Sequence, residues 1–278
     1  MSISLATKFA PYTDEQFKAE SKLSLITNKE FDWTGAHSIK AFKVSTANMN
    51  DYGRTGPAEG NWSRYGSIAD LGATTEEFTL KKDRSFIFNV DKLDTDETAQ
   101  QVQAASALAR QNREVIIPEI DSYVYGVMAA GAGTKATAKA LTAADIYSDI
   151  LDASKALDDA KIPETGRVLL VSPATYQLLK KSTDVVLETE IGADMRVKGV
   201  IGNLDGANVI KVPANRLPAK FGFMLCHPSA TVAPVKLEDY NIHEDSIYSS
   251  GAVVTGRVCY DAFILDNKKM GIYYQATT

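Results

Sequence analysis

The chain has 278 residues, 45% of them hydrophobic and 23% charged, with a net charge of −5. That length allows one large domain or two modest ones, and the composition is that of an ordinary soluble protein able to build a core. The mild acidity advertises no nucleic-acid-binding surface, and no uncharged run reaches the roughly 20 residues needed to span a bilayer.

Residues 1–36 read as an arm, ordered only where it docks on something, with a short helix starting near Tyr12–Phe17 and Thr13 or Asp14 as its cap. The N-terminus, Met1-Ser-Ile-Ser-Leu-Ala-Thr-Lys, has no apolar signal-peptide core, so the sequon Asn61-Trp62-Ser63 carries no glycosylation reading. Residues 37–51 are β-branched and mixed in charge, and predict an extended segment. Gly53, Gly56, Pro57, Gly60 and Gly66 follow, with Trp62 and Tyr65 among them, which is turn chemistry over a long stretch. Residues 67–91 return as strand: Phe78 and Leu80 alternate with polar residues, as do Phe86, Phe88 and Val90, while Ile87 breaks the pattern. Arg64 to Lys92 holds five basic and five acidic residues, a balance suited to many small ion pairs of about 0–1 kcal/mol each. A ribbon this long cannot bury both faces against its own domain. The rest of its packing is therefore expected from other copies of the chain.

Asp94 to Gly131 predicts one long helix, opened by a capping-box pair, Asp94 with Glu97. Its apolar stripe runs Val102, Ala105, Leu108, Ala109, Ile116, Ile120, Val124 and Val127, and its alanines would let another backbone approach. Pro118 should remove one hydrogen bond and bend the helix near Glu114. Residues 131–231 alternate helix and strand. Thr142 with Asp145 starts a helix whose stripe is Ile146, Ile150, Ala153 and Leu157; Arg167–Ser172 is a buried strand; Ser172-Pro173 caps the helix that follows. Asn208–Val212 and Phe221–Cys226 read as further strands, and 232–278 is mostly strand.

No catalytic constellation emerges. His37, His227 and His243 lie in separate segments without metal or triad spacing, and each reads as structural. Gly131-Ala-Gly-Thr-Lys135 lacks phosphate-loop spacing and follows a helix. The adjacent acidic pairs Glu76-Glu77 and Asp158-Asp159 read as solvated faces. Cys226 and Cys259 read as small buried hydrophobes in a reducing compartment. No cofactor, metal or enzyme activity is expected. The ribbon tip is different. Trp62, Tyr65, Arg54 and Arg64 are the residue types that dominate buried interfaces, and nothing nearby in sequence covers an exposed Trp among glycines. With Glu59, Phe78 and Arg84 along the same ribbon they form the expected subunit-interface set.

The chain also carries the runs Asn50-Asp51-Tyr52-Gly53-Arg54, Gly60-Asn61-Trp62, Lys82-Asp83-Arg84-Ser85-Phe86, Asp91-Lys92-Leu93-Asp94, Glu97-Thr98, Ser172-Pro173-Ala174-Thr175-Tyr176 and Gly206–Val212. In this order, over about residues 5–275, they resemble the major capsid proteins of tailed bacteriophages with the HK97-type fold, in the phage and prophage coat protein group. The resemblance implies an α+β fold with five parts: an N-terminal arm (1–36), an E-loop ribbon lying over an adjacent subunit (37–93), a spine helix of the peripheral domain (94–130), an axial domain (131–231) and return strands of the peripheral domain (232–278).

The resemblance further implies a structural protein, not an enzyme, that assembles with itself into pentamers and hexamers of an icosahedral head around double-stranded DNA. The DNA would be held without sequence-specific binding, since a mildly acidic wall avoids sticking. Portal and scaffolding proteins would be partners, assembly would take place in the bacterial cytoplasm, and the product would be the virion. No fused scaffolding segment precedes the arm, so a separate scaffold, or a segment already removed, is expected. Some relatives crosslink a lysine to an asparagine; beyond Lys81 and Lys82 in the ribbon, nothing marks a crosslink here. Two other readings stay open: an encapsulin-like compartment of the same fold enclosing a cargo enzyme, and an α/β enzyme built on 131–231.

Overall fold

The computed structural model describes residues 21–29, 38–57, 62–68, 70–92, 104–182, 202–244 and 250–278. The expected cap near Thr13 and Asp14, the Asp94–Glu97 pair and Glu59 lie outside these residues. The chain divides into two compact units, one of residues 1–32 and 81–278, the other of residues 33–80.

The first unit is organised by a six-stranded sheet in the order β4 (Thr134–Ala136), β13 (Ile272–Ala276), β8 (Phe221–Cys226), β5 (Val168–Val171), β7 (Ala207–Lys211), β6 (Asn203–Leu204). β13 runs parallel to β4 and β5 parallel to β7, while β8 is antiparallel to both its neighbours. Strand side chains alternate between faces, so the continuous apolar runs of β5 and β8 fill two cores at once. Val168, Leu170, Met224 and Cys226 enter one core, together with Val124, Tyr125 and Met128. Leu169, Val171, Phe223 and Leu225 enter the other, together with Ile146, Ile150, Ala153 and Leu157. Each buried Val, Leu, Ile, Phe or Met among them contributes about 1.5–3 kcal/mol. Burial pushes the Cys226 thiol up to about 12.

The helices bear out several expected signals. The Thr142 hydroxyl donates to Asp145 and accepts the Asp145 amide, just before α3 (Ile146–Asp159). Ser172 accepts the Thr175 amide at 3.1 Å and caps α4 (Pro173–Lys181), with proline in the first turn.

The long helix differs in detail. It runs as α1 (Ala104–Gln111), a π turn (Asn112–Ile116) and α2 (Ile117–Gly131). The Ile117 amide bonds to the Asn112 carbonyl, five residues back. This wide turn takes up the Pro118 ring without ending the helix. No residue of α1 is buried, and Ala105 and Ala109, expected on the apolar stripe, are exposed. The buried face of α2 is Asp121, Val124, Tyr125, Met128 and Ala129. Asp121 is therefore a charge on an apolar face. It accepts Arg216 Nη1 at 2.7 Å on one oxygen and the Ser21 hydroxyl at 2.6 Å on the other.

The arm docks where it is described: Ile26 is fully buried in the same core, and the Asn28 amide bonds the Thr231 carbonyl at 2.7 Å. A second sheet of the unit places β11 (Gly251–Tyr260) between β10 (Val235–His243) and β3 (Lys82–Asp91), antiparallel to both. β3 was expected to continue the ribbon, because no glycine or proline punctuates the chain between Phe78 and Val90. Its ten-residue pairing with β11 assigns it to the first unit instead. A 3₁₀ segment, Asp266–Gly271, leads into β13.

Candidate subunit interface

The second unit, described by itself, is a two-stranded antiparallel sheet and a long connection. β1 (Ser38–Val44) pairs with β2 (Ala73–Thr79) in seven-residue register, from Ser38 opposite Thr79 to Val44 opposite Ala73. Lys40 faces Glu77 directly across the strands, 3.9 Å apart, and Lys43 reaches Glu76 at 3.1 Å. Glu76-Glu77 is thus not a bare solvated face, as the sequence suggested, but the acidic half of two cross-strand pairs. Asp158 likewise holds the buried Arg167 guanidinium at 2.6 Å. A two-stranded ribbon without a second layer is marginal by itself.

The connection is closed by a few bonds. The Ser45 amide and hydroxyl both donate to the Gly72 carbonyl, at 2.9 and 3.0 Å. Nearer the tip, the Gly53 amide bonds the Arg64 carbonyl at 2.9 Å, and the Asn50 side-chain amide donates to the Tyr65 carbonyl at 3.3 Å. Gly66 has φ +92, and a Cβ there would stand 2.6–2.8 Å from the Asn50 side chain, so glycine is required at that crossing. Tyr52 and Tyr65 meet edge to face, centroids 5.1 Å apart.

This framework holds apolar groups outward. Phe42, Val44, Met49, Tyr52, Trp62, Tyr65, Ile68 and Leu71 are all exposed, eight of the fifteen large exposed hydrophobics among the described residues. They sit in a unit spanning 48 of 278 residues, residues 33–80. Trp62 is 79% exposed and Met49 99%. Apolar surface concentrated in this way is the kind that partner proteins cover.

The structure brings Arg54, Trp62, Arg64 and Tyr65 into the one tip; Arg64 Nη1 donates to the Arg54 carbonyl at 3.5 Å. Two other expected interface residues separate from them. Phe78 is buried, 5% exposed. Arg84 lies on β3 in the first unit, where its Nε bonds Glu119 at 2.8 Å. Phe42, Val44, Met49, Tyr52, Ile68 and Leu71 were not singled out as interface residues from sequence. For Phe42 and Val44 a signal existed, since alternate positions of a two-sided strand must face something.

No group of His, Cys, Asp and Glu able to hold a metal occurs among the described residues. His227 is structural: its Nδ1 accepts the Ser229 amide in a 3₁₀ turn. Lys135 donates to the Ala130 carbonyl at the end of α2, a helix-capping role for the Gly131–Lys135 run.

The sequence profile of the phage capsid protein family matches residues 73–267. The chain belongs to that family. It is a structural component of a phage head, as the HK97-type resemblance implied. The fold agrees across almost the whole chain with solved structures of low identity. A chain from Mycobacterium phage Che8 superposes with a TM-score of 0.79 at 21% identity, covering 98% of this chain and 96% of that one. One from the capsid of Cyanophage P-SCSP1u gives 0.78 at 13% identity, covering 98% and 93%. One from the mature capsid of bacteriophage PhiM1 gives 0.75 at 12%, covering 98% and 92%. No curated protein sequence matches.

Proposed function

We propose that this capsid protein assembles with itself into pentamers and hexamers of a closed icosahedral shell, with the ribbon as the inter-subunit contact. The observation that carries the proposal is the outward apolar tip on a two-stranded ribbon. In a shell built from one chain, an exposed patch meets a complementary patch on another copy. Many contacts, each weak, then add up because every subunit makes several of them. In the family's terms, the two-stranded part of residues 37–93 is the E-loop, the helix through α1 and α2 is the spine, and residues 131–231 form the axial domain together with β13, which pairs with β4 and β8; of residues 232–278, β10 and β11 return to the peripheral domain beside β3. The shell encloses double-stranded DNA without reading its sequence, in keeping with a net charge of −5. Portal and scaffolding proteins complete the head during assembly in the bacterial cytoplasm.

Size-exclusion chromatography and electron microscopy of the expressed chain test this. Megadalton hollow particles are expected, and a stable monomer at high concentration, both alone and with scaffolding protein supplied, overturns the proposal. Purified particles containing a cargo enzyme and no DNA would instead support the compartment reading.

A further inference from the structure

Near the ribbon tip, residues 50–54 run outward from β1 and residues 62–66 return toward β2. Four links join the two arms. The Asn50 side-chain amide donates to the Tyr65 carbonyl at 3.3 Å, and the Gly53 amide donates to the Arg64 carbonyl at 2.9 Å. Arg64 Nη1 donates to the Arg54 carbonyl at 3.5 Å, and the Tyr52 and Tyr65 rings meet with centroids 5.1 Å apart. Each link has one partner in the run 50–54 and the other at residue 64 or 65. The returning arm is set by Ser63, whose Oγ accepts the Tyr65 amide at 3.1 Å and whose carbonyl accepts the Gly66 amide at 3.3 Å. The side-chain bonds are exposed, and an exposed bond holds weakly against water. Shape makes the crossing specific. A Cβ at Gly66 would stand 2.6–2.8 Å from Nδ2, Cγ and Cβ of Asn50. The side chain at 50 and the lack of one at 66 are two halves of one fit.

We infer that Asn50 is the positioning residue of the tip: seated against Gly66, it locks the crossing of the two arms before any neighbour is met. Trp62, Tyr65, Arg54 and Arg64 are then carried on a set backbone. A loop shaped in advance is spared part of the ordering cost of association. This consequence for assembly rests on reading the ribbon as the inter-subunit contact; the lock itself does not.

Hydrogen exchange of the unassembled full-length subunit, read at the Gly53 amide, tests the lock. That amide lies in the crossing and bonds a backbone carbonyl, so no substitution at 50 or 66 removes its acceptor. In the wild type it exchanges about tenfold or more slower than in an unstructured peptide. Asn50→Ala raises its exchange about fivefold or more, while amides of β5 and β8 keep their protection. Gly66→Ala displaces the Asn50 side chain and has a similar effect. The two substitutions are coupled: in the Asn50→Ala background, Gly66→Ala meets no side chain and adds only the strain of alanine at positive φ. Trp62→Ala, which touches none of the four links, leaves Gly53 protected. An unprotected Gly53 amide in the wild type, unchanged exchange in Asn50→Ala, or fully additive effects at 50 and 66 overturn the lock. In light scattering, Asn50→Ala is expected to raise the threshold concentration for shell formation about threefold or more. An unchanged threshold with a freed Gly53 amide overturns the assembly consequence. A protected Gly53 amide in a wild type that never assembles, even with scaffolding protein supplied, overturns the ribbon reading and leaves the lock standing.

Discussion

Replacing Trp62 with alanine separates assembly from folding, because the side chain is 79% exposed in the isolated chain. An aromatic side chain of this kind buries up to about 250 Å² in total, so roughly 200 Å² remains for a neighbour to cover. At about 25 cal/mol/Å² full coverage would contribute about 5 kcal/mol, an upper bound. Ordering of the Gly-rich tip and incomplete coverage reduce this, and truncation of a central aromatic anchor costs about 2–4 kcal/mol. Even 2 kcal/mol corresponds to about a 30-fold weaker contact. Monomer stability should change by about 0.5 kcal/mol or less, since nothing packed is removed. The assay is light scattering across a concentration series, with thermal melting of the unassembled subunit as the control. Trp62→Ala is expected to raise the threshold concentration for shell formation by about 30-fold or more with melting unchanged. An unchanged threshold would refute the reasoning that exposed apolar area at the tip is interface area.

Asp121→Ala leaves the Arg216 guanidinium buried without its carboxylate, and urea unfolding should show a loss of about 3–5 kcal/mol. Gly251→Ala drives a methyl group into the Val90 carbonyl and to 2.8 Å from Asp91 Cα, so the melting temperature should fall by the equivalent of about 1–3 kcal/mol; an unchanged value would mean that the β3–β11 pairing yields easily. Alkaline stability supplies a signed test. Burial first, then the Asp261 carboxylate, pushes the Tyr123 phenol up to about 12; burial and Glu119 do the same for Tyr260. The unfolded phenols release their protons near the ordinary tyrosine value of 10.0, before the folded ones do. Their contribution is therefore fully present below pH 10 and is lost as pH rises toward 12. A Tyr123→Phe, Tyr260→Phe double variant should lose stability less steeply across that window, and an identical slope would exclude these phenols as its source.

Much of the fold was legible because local rules and burial agree. Ser172-Pro173 marks a helix start by capping chemistry alone, and Phe221–Cys226 advertises a strand buried on both faces. The tip was legible because Trp, Tyr and Arg among glycines have no local cover. Other features were hidden in proportion to their sequence separation. Asp261 meets Lys81 across 180 residues and Asp121 meets Arg216 across 95, and no local pattern encodes either partner. Asp121 did leave one trace, a charge on the apolar face of a helix.

The amino-acid sequence by itself determined the order of the described elements, the Ser172 cap, the doubly buried strands and the presence of a ribbon with too much apolar surface for its length. These follow from periodicity, turn chemistry and composition, which act over a few residues. Only the tertiary structure decided where the ribbon ends. Phe78 and Leu80 alternate with polar residues, as do Phe86, Phe88 and Val90, with no glycine or proline between the two runs, yet β2 pairs with β1 and β3 with β11. Strand pairing is a long-range choice made by backbone hydrogen bonds and packing, and an alternating pattern fits either partner equally well.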